Sequence, residues 1–511
     1  MTHQLLLLAP GDDVAIALQE LAPGATAAAG DGPSVTAVSG IPRGHKVALR
    51  DLPAGTLVRK YGHVIGVTTS AVRAGEHVHV HNLAMPEGAS GLASGGGQQA
   101  ATTTLPADLR RTFMGIPRSD GRVATRNYVG VLTTVNCSAT VARQVARRTE
   151  DVVAALQPEG VDGVVALTHG TGCGMADFGE GWDLLRRTLQ GYARHPNIGA
   201  LVVIGLGCEV NSVTGLIDSI GADATIPIEH FTIQDVGGTA AAISQGEKLV
   251  TGLAEDLRGI RRTEVGVEHL VLGLNCGGSD AWSGLTANPA LGVASDLLVA
   301  AGGTSVLAET PEVYGAEQML VERATDPAVG EALLERIAWW EHYTTSQGTT
   351  LDGNPSPGNK EGGITTILEK SLGAVAKGGH SALSAVCGYA EPIPTPGFVF
   401  MDTPGYDPVS VTGLVAGGAN LICFTTGRGS VFGSRPAPTV KLGTNSDLAL
   451  RMAGDIDLDC SGVVEDGVPV EEMGLRVYNL LLDTASGRRS FSEQLGLGGE
   501  EIVPWQVGAV L

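Results

Sequence analysis

The stretch LVLGLNCGGSDAWSGLTANPALG, Leu270–Gly292, reads as a buried strand that opens into a polar glycine turn and then a helix. Leu270–Leu274 is an apolar run of strand length. Asn275, Cys276, Gly277, Gly278, Ser279 and Asp280 follow it. A helical pattern resumes after Asn288 and Pro289, where a proline in the first turn loses nothing by its missing N–H. Polar groups and glycines at the carboxyl end of a parallel strand are where open α/β sheets bind small molecules. The glycines admit a ligand close to backbone N–H groups, and Cys276 and Asp280 offer a metal ligand or a proton carrier. A tight turn around a buried cysteine is the plainer alternative.

The same design recurs. Val129–Val135 ends in Asn136 and Cys137 before a helical segment, Ser138–Arg148. Val164–Thr168 leads into HGTGCG, His169–Gly174, and Leu201–Ile204 into GLGCEVN, Gly205–Asn211. Four of the seven cysteines therefore fall just past strands, which favours a common pocket over chance placement. The two Asn-Cys strand ends also hint at a duplicated half.

With 511 residues the chain has room for two to four domains and a large core. The 73 glycines carry no collagen-like period, and so fit an α/β protein with many tight strand–helix turns. A formal charge of −21 opposes nucleic acid and anionic membranes while leaving room for a local basic pocket. Leu5–Leu8 is too short for a signal peptide or a membrane span. An odd number of scattered cysteines suits reduced thiols in a cytoplasm. Self-association into a homo-oligomer is left open.

Four segments are expected. Residues 1–84 form a small β-rich domain of short strands separated by Pro/Gly turns. Residues 85–111 are a flexible linker, centred on MPEGASGLASGGGQQAATTT, which has no hydrophobic period. Residues 112–265 and 266–511 are the two halves of an α/β region, the first entered through a hairpin that turns at Ser119, Asp120 and Gly121.

His45 and Lys46, in a cationic stretch of an acidic chain, are placed to contact a carboxylate. His77, His79 and His81 share a strand face at period two. Such a row is more often solvated than metal-binding. His169, Cys173, Cys208, Glu209 and Cys276 combine imidazole, thiolate and carboxylate, which suits iron, zinc or manganese, although buried cysteines also serve as small hydrophobes. Lys360 and Glu361 occupy a Gly/Pro-rich loop with no core role, fit for substrate capture or acid–base work. Arg428, between two glycines after a strand, can grip a carboxylate with its fork. GLGCEV lacks the third glycine of a dinucleotide fingerprint, and neither a P-loop nor HExxH is present.

Together with CGGSDAWSGLTANPALG, the phrases RGHKVALRDL, GEHVHVHN, HGTGCG, VVIGLGCE, ETPEVYGAEQ, NPSPGNKEGGITT, FTTGRGSVFG and PTVKLGTNS resemble the altronate and galactarate dehydratase family over nearly the whole chain. The resemblance implies an N-terminal SAF-type domain, a flexible link and a large α/β, Rossmann-like catalytic region. It also implies dehydration of a sugar acid across C2–C3, dependent on a divalent metal, Fe2+ first and Mn2+ second. GEHVHVHN, ETPEVYGAEQ and NPSPGNK are closer to the altronate type, so conversion of D-altronate to 2-dehydro-3-deoxy-D-gluconate is expected. The alternatives are galactarate dehydration, for which Arg435 is a second carboxylate clamp, a sulfo-lyase acting on sulfolactate, and a non-enzymatic sugar-acid sensor. The catalytic set is then His45, Lys46, His169, Asp280, Lys360 and Arg428, with Cys173, Cys208, Glu209 and Cys276 as metal ligands.

Overall fold

Val271–Cys276 is buried on both faces along almost its whole length, the pattern of a central parallel strand. The computed structural model describes residues 4–30, 32–86, 88, 100, 101, 103–157, 160–221 and 225–507. In it this strand is the middle of a seven-stranded sheet, flanked by Thr304–Leu307 and Leu421–Thr426. Gly397–Met401 and Leu383–Cys387 extend the first side, and Thr439–Gly443 and Leu458–Asp459 the other, all parallel. The chain leaves Val271–Cys276 on one side and later resumes on the opposite side. The strand order therefore reverses at Cys276, which opens a crevice past the carboxyl ends.

Helices Ala287–Ala300 and Val470–Ala485 cover one face of this sheet. Asp407–Ala416 lies on the other and packs against helix Glu180–Ala193 of a second α/β unit. That unit is built on a four-stranded parallel sheet in the order Gly163–Leu167, Tyr128–Thr133, Ile198–Gly205, Ile228–Thr232. Its outer face is closed by helices Asn136–Ala154 and Thr239–Asp256. The hairpin forms at the anticipated turn, with Thr112–Pro117 paired antiparallel to Val123–Ala124. Thr263–Gly266 adds to its other edge, a pairing between segments too far apart in sequence to show as a local pattern.

The N-terminal unit contains only antiparallel pairs among the described residues. One sheet runs Leu5–Leu6, Val14–Ala17, Lys46–Ala48, His77–Val78; another runs Leu57–Lys60, His63–Thr68, Leu83–Ala84. Most of 85–102 lies outside the described residues. From residue 103 the chain lies along the C-terminal unit, with Leu105 and Leu109 on its core and Arg110 paired to Asp483 at 2.6 Å.

Helix Ile367–Val375, ILEKSLGAV, joins the N-terminal and C-terminal units. Every residue of it is buried, including Glu369 and Lys370. Glu369 accepts Lys46 and Lys60 of the N-terminal unit, both at 2.8 Å. Arg43 reaches Asp447 and Glu465 and lies over the Trp282 ring. No helix among the described residues is long and apolar enough to cross a membrane.

Candidate active site and metal centre

The pairing of Lys46 with Val78 and of Val47 with His77 sets the first feature of the site. One step further along this register His45 comes opposite His79, on the face that also carries His77. Nδ1 of His45 is 3.0 Å from Nε2 of His77, and one nitrogen from each of His45, His77 and His79 lies within 4.8 Å of the other two. Burial lowers all three pKa values, with neighbouring positive groups adding to it: His77 falls to about 3 and His79 to about 4. The rings are neutral near pH 7, the form that binds metals. Nδ1 of His79 is buried with no hydrogen-bond partner, as an atom reserved for a ligand would be. The row expected to be a solvated strand face thus becomes a three-imidazole group once His45 joins it from the neighbouring strand.

Glu361, in the last turn of the short helix Pro357–Glu361, accepts His45 Nε2 on its carbonyl at 3.1 Å. Its carboxylate takes Arg428 at 3.0 Å, and both side chains are open to solvent. A capping box between Ser356 and Asn359 fixes this helix, and Asn359 also donates to the Ser279 carbonyl at 2.8 Å. Arg428 is held from the other side by its N–H on the Gly278 carbonyl, 2.8 Å away. Asp280 lies beneath. Its carboxylate receives Ser283, Thr444, Asn445 and the Trp282 N–H, so it braces the turn rather than facing outward. Gly427 permits this brace: a Cβ there would stand 2.1 Å from the Asp280 carboxyl carbon. His45, Lys46, Asp280 and Arg428 are thus brought to one place, together with the short helix that carries Lys360. Lys46, fully buried on Glu369 and the Gly363 carbonyl, serves the docking contact.

A second polar group lies behind Cys276. Its sulfur is 3.2 Å from Glu312, 3.6 Å from Glu309 and 2.8 Å from Lys377. Lys377 also donates to Glu309 at 3.0 Å, and Lys370 to Glu312 at 2.7 Å. Burial, with Glu312 adjacent, lifts Glu309 to about 7, and burial beside these carboxylates lifts Asp407 to about 8. For Glu312 the burial is outweighed by Lys370 and Lys377, which hold it below its ordinary range. Glu309 is a left-handed non-glycine residue, φ 70°, an uncommon and strained conformation. Two ammonium groups already occupy the space a cation would take here, whereas the histidines have none among them.

The remaining nominees sit in the other α/β unit. Cys173 and Cys208 are exposed, and neither belongs to the ligand group around Cys276, which Glu309 and Glu312 complete. The Glu209 carboxylate accepts Thr134 Oγ1 at 2.7 Å and the N–H groups of Leu206 and Gly207. His169 is buried, pushed down to about 4 by that burial, and bonded through Nε2 to the Thr133 carbonyl at 3.1 Å. Both are structural braces for their loops.

The fold and this site belong to a defined class. Residues 3–86 match the altronate/galactarate dehydratase SAF domain, 115–258 the D-galactarate dehydratase/altronate hydrolase second domain, and 267–510 the D-galactarate/altronate dehydratase C-terminal domain. The chain belongs to the altronate/galactarate dehydratase family and is an enzyme of the hydro-lyase type. It is 37% identical to altronate dehydratase of Escherichia coli (strain K12), across 94% of this chain and 95% of that one. Identity to galactarate dehydratase (L-threo-forming) of the same organism is 35%, across 89% and 88%. The beta subunit of (2R)-sulfolactate sulfo-lyase from Chromohalobacter salexigens is also 35% identical, across 76% of this chain and 95% of that one.

Proposed function

We propose that the enzyme dehydrates D-altronate to 2-dehydro-3-deoxy-D-gluconate, using a divalent metal held by His45, His77 and His79. The observation that carries this reading is the group of three neutral imidazoles beside the solvent-open Arg428–Glu361 pair. Imidazole suits iron along with zinc, copper and nickel, and the order Fe2+ first, Mn2+ second is what the family resemblance implies. When bound, the metal supplies positive charge that acidifies the substrate's C2–H and stabilises the developing enediolate. The substrate carboxylate takes the place of Glu361 on the Arg428 fork, which frees the Glu361 carboxylate to accept the C2 proton. Lys360, the adjacent cation, donates a proton to the departing C3 hydroxyl.

One carboxylate clamp and a hydroxyl-rich remainder suit an aldonate better than an aldarate, and the likeness to altronate dehydratases, which spans more of both chains than that to the galactarate dehydratase, agrees. The test is kcat/KM for altronate against galactarate, measured on one anaerobic Fe2+-loaded preparation. A preference for altronate is expected; a preference for galactarate refutes the assignment, and no dehydration of either acid refutes the reaction. Chelation is expected to abolish turnover while shifting the thermal unfolding profile only slightly. Full activity after chelation would sink the metal's part in it.

A further inference from the structure

We propose that Cys137, Cys173 and Cys208 hold an iron–sulfur cluster at the carboxyl edge of the four-stranded parallel sheet. This site is separate from the histidine group and does not rest on the reaction assigned above. Gly163–Leu167, Tyr128–Thr133 and Ile198–Gly205 lie side by side, and Cys173, Cys137 and Cys208 follow them in that spatial order. All three are exposed, whereas Cys276, Cys387, Cys423 and Cys460 are buried. Cysteine ranks among the most buried residue types. Three exposed thiols on one sheet edge therefore need a reason that packing does not give.

The loops that carry them are tied to one another by buried polar groups. Asn136 N–H donates to the Thr171 carbonyl at 2.9 Å, and Asn211 N–H to the Gly172 carbonyl at 3.1 Å. The Asn211 side chain donates to the Thr134 carbonyl at 2.8 Å. Glu209 binds Thr134 in the first loop and two N–H groups of its own loop. Gly172, at φ 96°, lets two loops touch: a Cβ there would stand 2.2 Å from the Thr134 carbonyl oxygen. Polar side chains are spent in fixing the loops, and the thiols are left facing out.

Cys137 lies in the first turn of the 19-residue helix Asn136–Ala154. That helix has no side-chain cap and no acidic residue in its first turn. The N–H groups of Asn136 and Ser138 are taken by the Thr171 and Val135 carbonyls, and the positive end of the helix dipole favours a thiolate at Cys137. Spacing argues against a single ion shared by all three thiols. Tetrahedral zinc–thiolate sites hold their sulfurs about 4 Å apart. Among the described residues, only the histidine and Cys276 groups bring three ligand atoms within 4.8 Å of one another. The three thiols are therefore spaced more widely than one ion requires. Thiolates bound to different irons of a [4Fe–4S] cube stand roughly 6 Å apart. Three thiolates would leave one iron of such a cluster without a cysteine ligand, and the three loops lie where this sheet's strand order reverses. Each thiol gives its proton to solvent on binding, and two ferrous ions, two ferric ions and four sulfides supplied from outside make up the [4Fe–4S]2+ cluster with no further oxidant.

The full-length chain is to be reconstituted anaerobically with equal amounts of ferrous and ferric iron plus sulfide, and in parallel with the same iron without sulfide, then freed of unbound metal. Broad visible absorbance and acid-labile sulfide are expected only in the first sample. Cys137→Ser, Cys173→Ser and Cys208→Ser are each expected to lose most of the bound sulfide with an unchanged thermal melt. Sulfide retained undiminished in the triple variant overturns the proposal. So does the absence of any sulfide-dependent absorbance in the unaltered chain, since iron retained without sulfide is accounted for by the histidine group.

Discussion

Arg428 faces solvent with its guanidinium on a single exposed carboxylate, so a substrate can displace that partner at little cost. Arg428→Lys keeps the charge but loses the planar fork, and kcat/KM is expected to fall about 30-fold, within the range for losing a charge-assisted hydrogen bond. A change under threefold would show that charge alone suffices. Glu309 and Asp407 give a different signature. Their folded pKa values, about 7 and about 8, lie above the unfolded carboxylate values, so the folded state retains protons that the unfolded chain has released. Their contribution is fully present below about pH 4 and is lost as pH rises through the folded values. Thermal stability is expected to decline between about pH 5 and pH 8, and Glu309→Gln with Asp407→Asn should flatten that slope. A slope unchanged in the double variant would exclude these residues as its source. At this scale Arg428 and Asp280 were legible because each follows a strand that the apolar pattern marks, and Lys360 because it stands in a Gly/Pro-rich stretch with no core role. The histidine row was visible too, but period two shows only that residues share a face. What makes it a ligand group is His45, and pairing across some thirty intervening residues decides that.

Helix Ile367–Val375 offers the clearest case of a signal that was present but easily passed over. Glu369 and Lys370 side by side inside ILEKSLGAV are charges in an apolar frame, and buried charges are rare unless paired. Their partners, Lys46 and Lys60 for one and Glu312 for the other, come from remote segments, so sequence could mark the demand without naming what meets it. Burial is outweighed at Glu369 by its two ammonium partners, which hold it far below the usual carboxylate range. One carboxylate serves two ammonium groups, and burial brings Lys46 down to about 8 despite that attraction. Glu369→Gln leaves two buried cations facing a neutral amide and is expected to cost about 3–5 kcal/mol in denaturant unfolding. Replacing Lys46, Lys60 and Glu369 together by apolar residues of similar size should cost much less. Equal losses in the two variants would refute the pairing account. The parallel sheets were legible from short apolar runs, since strands buried on both faces read that way. The strand from Thr263 to Gly266 was not, because it is defined by a partner about 150 residues earlier.

For the whole molecule, the units meet through buried charge, and buried pairs are screened far less by salt than exposed ones. Cutting the chain between residues 88 and 100 should therefore leave one species that stays together at high ionic strength and retains activity. Release of the N-terminal fragment by salt alone would show that the exposed Arg43 contacts dominate instead. The division of labour across this contact also bears on how the enzyme is made. The three imidazoles all precede residue 80, whereas Lys360, Glu361 and Arg428 leave the ribosome much later. Because chains fold broadly from the N-terminus during synthesis, metal capture can come before the reactive groups exist. On the proposed assignment turnover then waits on the last third of the chain, so a ribosome that stalls midway leaves a fragment that carries the three imidazoles and none of the proposed reactive groups.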